Sequence, residues 1–246
     1  MKSLIFHFGK YCLLIARSFS PPEKLSEYWK EITREMVSIG YGSLFLSIFT
    51  SIFLGAVTIV QVAFQLTNEF VSKTTLAVVV RDSAILELAP TMTSLVLAGK
   101  IGSNISSQIG TMRVTEQIDA LEVMGINTNS YIVLPKIIAG VTMIPILVII
   151  SAITCIFGGY IAGSISGAIG ADTFIQGLTT HIDNKIIVVC IIKSIVYGFL
   201  ITSIPSYYGF YVEGGAREVG KAGTQSAAVS CITILVADYL IAQALL

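Results

Sequence analysis

"IIAGVTMIPILVIISAITCIFGGYIAGSISGAIGA", residues 137–171, contains no Asp, Glu, Lys or Arg. A helix of about 20 mostly apolar residues crosses the hydrocarbon core of a bilayer, so this stretch holds one span with a turn to spare. Residues 36–68 are equally free of charge. Three further apolar stretches tolerate isolated charges: 83–110 with Glu87 and Lys100, 186–212 with Lys193, and 222–246 with Asp238. The pattern predicts an all-α integral membrane protein with spans at 40–66, 83–110, 133–161, 186–212 and 222–246. Short polar joints fall at 69–82, 111–135, 172–185 and 213–221. The bulk numbers agree, because the chain is 54% hydrophobic and 12% charged, with a mean hydropathy of +0.83. Soluble domains run near about 25% charged. No linker or change of composition interrupts the 246 residues, and a single domain over 1–246 is expected.

Fifteen basic and fifteen acidic residues leave no net charge, which gives no support to nucleic-acid binding. Cys12, Cys155, Cys190 and Cys231 are far apart; without a paired Cys or Cys/His spacing they suggest neither a disulfide framework nor a metal site. The segment "MKSLIFHFGKYCLLIARSFS" (1–20) is interrupted by Lys10 and Arg17 and lacks a small-residue cleavage pattern. It reads as a retained basic segment. "EKLSEYWKEITRE" (23–35), charged and helix-prone, suits a helix lying in the interface before the first span, so 1–35 is expected to be interfacial. Orientation follows the Lys/Arg bias. An inner N-terminus puts Lys2, Lys10, Arg17, Lys24, Lys30, Arg34, Arg113, Lys136, Arg217 and Lys221 inside, against Lys73, Arg81 and Lys185 outside.

Small residues recur every four positions along the second span: Ser94, Ala98, Gly102, Ser106 and Gly110, with Gly99, Ser103 and Ser107 beside them. Such rows let backbones approach closely in lipid. They serve either packing within the chain or a contact between subunits. Gly159, Gly163 and Gly167 repeat the device.

Ionisable groups inside a membrane mark pathways or pairs. Lys193 and Asp238 fall at similar depth and are expected to pair. Glu87 and Lys100 lie about 20 Å apart along one helix, too far to meet. Glu87, close to Pro90, is the better functional candidate. "GAREVGK" (215–221) imitates a phosphate-binding loop, but Ala222 stands where Mg²⁺ needs a hydroxyl, and no buried strand precedes it. Nucleotide binding by this chain is excluded on those grounds. With two histidines, His7 and His181, and one aspartate inside a span, no catalytic constellation or metal site is legible.

"TMRVTEQIDALEVMGIN" (111–127) is the exception to the apolar pattern. Thr115 is a fair N-cap, Glu116 and Asp119 complement a helix N-terminus, and Gly125 is a plausible stop. That gives about ten helical residues, too short to span. Val114, Ile118 and Leu121 form one face, and Glu116, Asp119 and Glu122 another. The anionic inner leaflet would repel this acidic face, so docking to a cytoplasmic protein is expected, with a merely solvated connecting turn as the alternative.

The stretch 87–127, "ELAPTMTSLVLAGKIGSNISSQIGTMRVTEQIDALEVMGIN", closely resembles the signature of the MlaE/YrbE-type permeases. These are membrane subunits of ABC transporters that work with MCE proteins on lipids. The likeness continues through 134–140, 191–198, 207–228 and 236–240. The resemblance implies a homodimeric inner-membrane permease with five spans per subunit and an interfacial helix. It implies a coupling helix, carried here by Thr115, Glu116, Gln117, Asp119, Leu121, Glu122 and Gly125, seated on a separate ATPase that binds ATP and Mg. It further implies a phospholipid pathway by Glu87 and Pro90, opening to a periplasmic MCE-domain protein. Two departures stand out: Leu86 replaces a frequent Arg, and Gln108 replaces a frequent acid. The alternative from another class is a stand-alone proton-coupled transporter using Glu87 and Asp238; a structural membrane scaffold is a third reading.

Overall fold

The computed structural model describes residues 2–20, 25–65, 73–167, 169–180 and 183–245. Lys24 and His181 therefore lie outside the described residues. Among the described residues there are ten α-helices: α1 (Lys2–Ser18), α2 (Leu25–Gln65), α3 (Lys73–Ser83), α4 (Thr93–Leu97), α5 (Ser103–Val114), α6 (Gln117–Val123), α7 (Leu134–Ile165), α8 (Ala171–Thr179), α9 (Asn184–Phe210) and α10 (Ala216–Leu245). Wider π-helical turns at Ala84–Met92 and Ala98–Gly102 continue the helical run between α3, α4 and α5, and a third at Asn129–Val133 opens α7. There is no strand among the described residues. Five helical runs among them are long and apolar enough to cross a membrane: Tyr28–Gln65, Thr74–Val114, Asn129–Ile165, Asn184–Phe210 and Ala216–Leu245.

Four boundaries differ from the sequence reading. The charged segment 23–35 is not a separate helix; α2 runs unbroken from Leu25 into the first span. Its Glu35 is buried against the Lys136 ammonium, which lets the helix carry a charge inward. The joint at 69–82 is helical from Lys73 onward, since Arg81 finds carbonyls to satisfy it. The joint at 172–185 contains α8, and "AREVGK" belongs to α10 rather than to a loop.

The chain divides into two compact units. The first comprises 1–43, 95–144 and 195–237. Its helices meet at small residues: a Cβ on Gly209 would lie 2.7 Å from the Ser106 carbonyl oxygen, and one on Gly198 2.7 Å from that of Gly140. α1 is tied to α9 by His7 Nδ1 and the Tyr207 hydroxyl at 2.8 Å, and by the Tyr11 and Ser203 hydroxyls at 2.8 Å. Burial pushes the Tyr11 phenol above its usual range, and the Ser203 contact only partly opposes this. Phe6, Phe8 and Leu13 remain exposed on α1, an apolar face suited to the membrane interface.

The second unit comprises 44–94, 145–194 and 238–246. α2 and α7 cross in direct backbone contact, because a Cβ on Gly55 would fall 1.8 Å from the Cys155 carbonyl oxygen and one on Gly158 2.1 Å from that of Ile52. Ser47 and Ser151 hydroxyls bond at 2.6 Å beside this crossing. The large side chains point outward: Phe45, Phe49 and Phe53 line one exposed face of α2, the first two rings stacked and the second pair tilted. Buried serines and exposed phenylalanines invert the arrangement of a soluble domain, as lipid surroundings require. α3 and α8 close the unit around Ile59, Leu76, Ala77, Val80, Ile169 and Phe174. Arg81 caps α8 by donating to the carbonyls of Gly177, Leu178 and Thr180 at 3.3, 3.0 and 2.5 Å.

Candidate functional site

Pro90 shapes the second unit's charged cluster. In α-helical register the N–H of residue 90 would bond the carbonyl of Leu86; proline has no N–H, and the π-helical turn Ala84–Met92 accommodates it. The Lys193 ammonium donates to that same Leu86 carbonyl at 3.1 Å. It also meets Glu87 Oε1 at 2.7 Å and Asp238 Oδ1 at 2.6 Å. An ammonium has three donors, and all three are used. The Lys193 side chain is fully buried, Asp238 is 17% exposed and Glu87 is 48% exposed. Thr91 Oγ1 donates to the other Glu87 oxygen at 3.3 Å. Two carboxylates thus share one ammonium, and the outermost of them presents an open face.

The sequence pointed to the Lys193–Asp238 pair, and the structure places these groups in contact. It missed Glu87 as the third member. Charges on spans two, four and five at comparable depth were the available signal. Lys100 belongs to the first unit, where it is exposed and donates to the Gly42 carbonyl.

The acidic segment lies in the first unit. α5 ends at Val114, and Thr115, expected as an N-cap, is the C-cap of α5 instead. Its hydroxyl turns back to the Thr111 carbonyl at 2.8 Å, so it is not offered to α6. Glu116 makes the corner in the left-handed region, at φ 59°. α6 then runs for seven residues, Gln117–Val123, rather than about ten. Gly125, at φ +82°, closes it in a Schellman motif: Gly125 N–H donates to Glu122 O at 2.9 Å, and Ile126 N–H to Leu121 O at 3.1 Å. Ile118 is fully buried and Leu121 partly so. Thr115, Glu116, Gln117, Asp119, Glu122 and Gly125 are exposed, as are Val123 and Met124. Arg113 pairs with Asp119 at 2.5 Å, and Thr128 Oγ1 donates to Glu122 Oε1 at 3.0 Å. The result is a short helix braced at both ends, with acidic groups and an apolar tip facing outward.

The row Ser94, Ala98, Gly102, Ser106 and Gly110 is buried throughout. Within the first unit, Gly102 lies against Pro205 and Ala227, Ser106 against Gly209, and Gly110 against Val219 and Val212. Gly102, Ser106 and Gly110 therefore pack within the chain. Gly99 has nothing within 4 Å of where its Cβ would be.

Apolar spans around small-residue crossings, with an ion cluster held inside them, define a multi-pass membrane protein. The family described as Permease MlaE matches residues 32–244. A probable ABC transporter permease protein of Rickettsia bellii is 32% identical over 235 residues, covering 96% of this chain and 90% of the relative. The corresponding protein of Rickettsia prowazekii is 34% identical over 231 residues, covering 94% and 87%. One from Synechocystis is 33% identical over 210 residues, covering 84% and 78%. The chain belongs to the MlaE permease family and is an ABC transporter permease.

Proposed function

We propose that this permease moves phospholipid between the bacterial inner membrane and a periplasmic MCE-domain protein, as a homodimer driven by a separate ATPase. The braced, outward-facing acidic helix α6 is the observation that carries the reading. A segment built to be gripped, on a chain whose "GAREVGK" lies largely within a helix, points to an engine on another polypeptide. The ATPase holds ATP and Mg and takes α6 into a groove, contacting Glu116, Gln117, Asp119 and the Val123–Met124 tip. Ten of the thirteen Lys and Arg residues other than Lys100 and Lys193 fall on that side, which supports a cytoplasmic placement.

The mechanism is conformational. Nucleotide binding and hydrolysis move α6, and the spans admit or expel a lipid. Docking must differ between the two states, because a contact equal in both shifts nothing. Glu87, half-exposed and oriented by Lys193 and Thr91, receives the cationic part of a lipid head group in the outer half, where Pro90 widens the helix.

The test is mild affinity purification from native membranes with mass spectrometry of the co-purifying chains. A stoichiometric ATPase, lost on Glu116→Lys combined with Glu122→Lys, is the expected result. A permease that purifies alone and loaded with lipid would refute the reading and favour proton-coupled transport.

A further inference from the structure

Lys136 is the third residue of α7 and only 3% exposed. Its ammonium contacts the Glu35 carboxylate, itself 8% exposed, and Gln108 Oε1 at 2.7 Å. The three residues come from three helices: Glu35 from α2, Gln108 from α5 and Lys136 from α7. α5 and the run opening α7 are the two stems between which α6 is hung. Gln108 stands six residues before α5 ends, and Lys136 seven after the π-helical turn begins at Asn129. The cluster thus closes the base of the hairpin. Nearer its tip, the Arg113–Asp119 and Thr128–Glu122 contacts brace α6 on the same stems.

A buried ion pair adds little stability over well-packed apolar residues, so stability alone does not account for three polar side chains here. Their shared property is direction. Displacement of α6 reaches both stems through its braces, and the stems cannot part without breaking the Gln108–Lys136 bond. Through Glu35 the same ammonium holds α2, which continues as the first span.

We propose that Lys136 is a positioning residue for transport, clasping the stems of the α6 hairpin to each other and to the first span. This rests on the reading of α6 as the ATPase-coupling helix. Gln108 suits the role because an amide both donates and accepts. It therefore tolerates either sign at position 136, which an acid would not.

The experiment uses the permease with its ATPase and periplasmic acceptor in proteoliposomes, with a fluorescent phospholipid as probe. It reads lipid transferred per ATP hydrolysed, alongside ATPase co-purification and melting temperature. Glu35→Gln and Lys136→Met are each expected to keep the ATPase bound while transfer per ATP falls about tenfold, inside the usual range of coupling free energies. The exchanged pair Glu35→Lys with Lys136→Glu is expected to recover most of the loss, with Gln108 turning its amide to donate. Single variants that melt lower but transfer as many lipids per ATP as wild type would overturn the clasp. So would an exchanged pair that melts and assembles like wild type yet stays uncoupled. Wild-type protein with no ATP-dependent transfer would instead defeat the coupling reading itself.

Discussion

Glu87 and Asp238 share the Lys193 ammonium, yet they are not equivalent. Asp238 is mostly buried and Glu87 is half-exposed. Glu87→Ala leaves Lys193 with Asp238 and the Leu86 carbonyl, so the fold should survive while lipid transfer is lost. Melting temperature and transfer measured on the same preparation check this; normal transfer by the mutant would remove Glu87 from the pathway. Lys193→Met is different, because it removes the buried ammonium that Asp238 and Glu87 share. Breaking such a pair costs about 3–5 kcal/mol, to be seen as a lower melting temperature in detergent. Adding Asp238→Leu should return much of that stability, since replacing a buried pair by apolar side chains is often neutral. Transfer would stay impaired, because Glu87 would have lost the Lys193 ammonium that orients it.

At the scale of elements, close crossings and one strained corner make the sharpest tests. Gly55→Val places a side chain into the Cys155 carbonyl; overpacking of this kind costs about 1–3 kcal/mol or more and should prevent the α2–α7 crossing. Gly99→Ala is the matched control. It meets nothing within 4 Å and replaces a helical glycine, so it should stabilise by about 0.5–1 kcal/mol. Equal melting temperatures for the two variants would contradict the packing described. At the corner into α6, Glu116 adopts a left-handed conformation that costs an L-residue about 1–2 kcal/mol. Glu116→Gly should therefore raise stability while weakening ATPase retention, because it relieves the strain and removes an exposed charge. Two readouts moving in opposite directions would separate the roles of backbone and side chain.

At the scale of the whole molecule, the proposed orientation gives a topological test. In a Cys12→Ser background, which removes the exposed native thiol, Asp183→Cys should react with an impermeant maleimide in spheroplasts. Arg217→Cys should react only after permeabilisation. The reverse pattern would place α6 on the periplasmic side and end its assignment to an ATPase. Much of this scale was legible beforehand. The bilayer as solvent demands long apolar helices, and that demand is written in the composition of 36–68 and 137–171. Span ends were less legible. Glu35 and Arg81 look like surface residues until their partners, Lys136 and the carbonyls of 177–180, are brought to them from about a hundred positions away.

The chain alone determined five membrane-crossing helices, the short acidic segment between the second and third, and the Gly125 stop, because solvent preference and φ > 0 are local properties of residues. Tertiary structure decided which charges meet. Glu87 joined Lys193 and Asp238, and Glu35 joined Lys136 and Gln108. Those outcomes depend on which helices cross and at what depth. The crossings are set by glycines whose missing Cβ atoms admit a neighbouring backbone, and a glycine in a sequence does not name its neighbour.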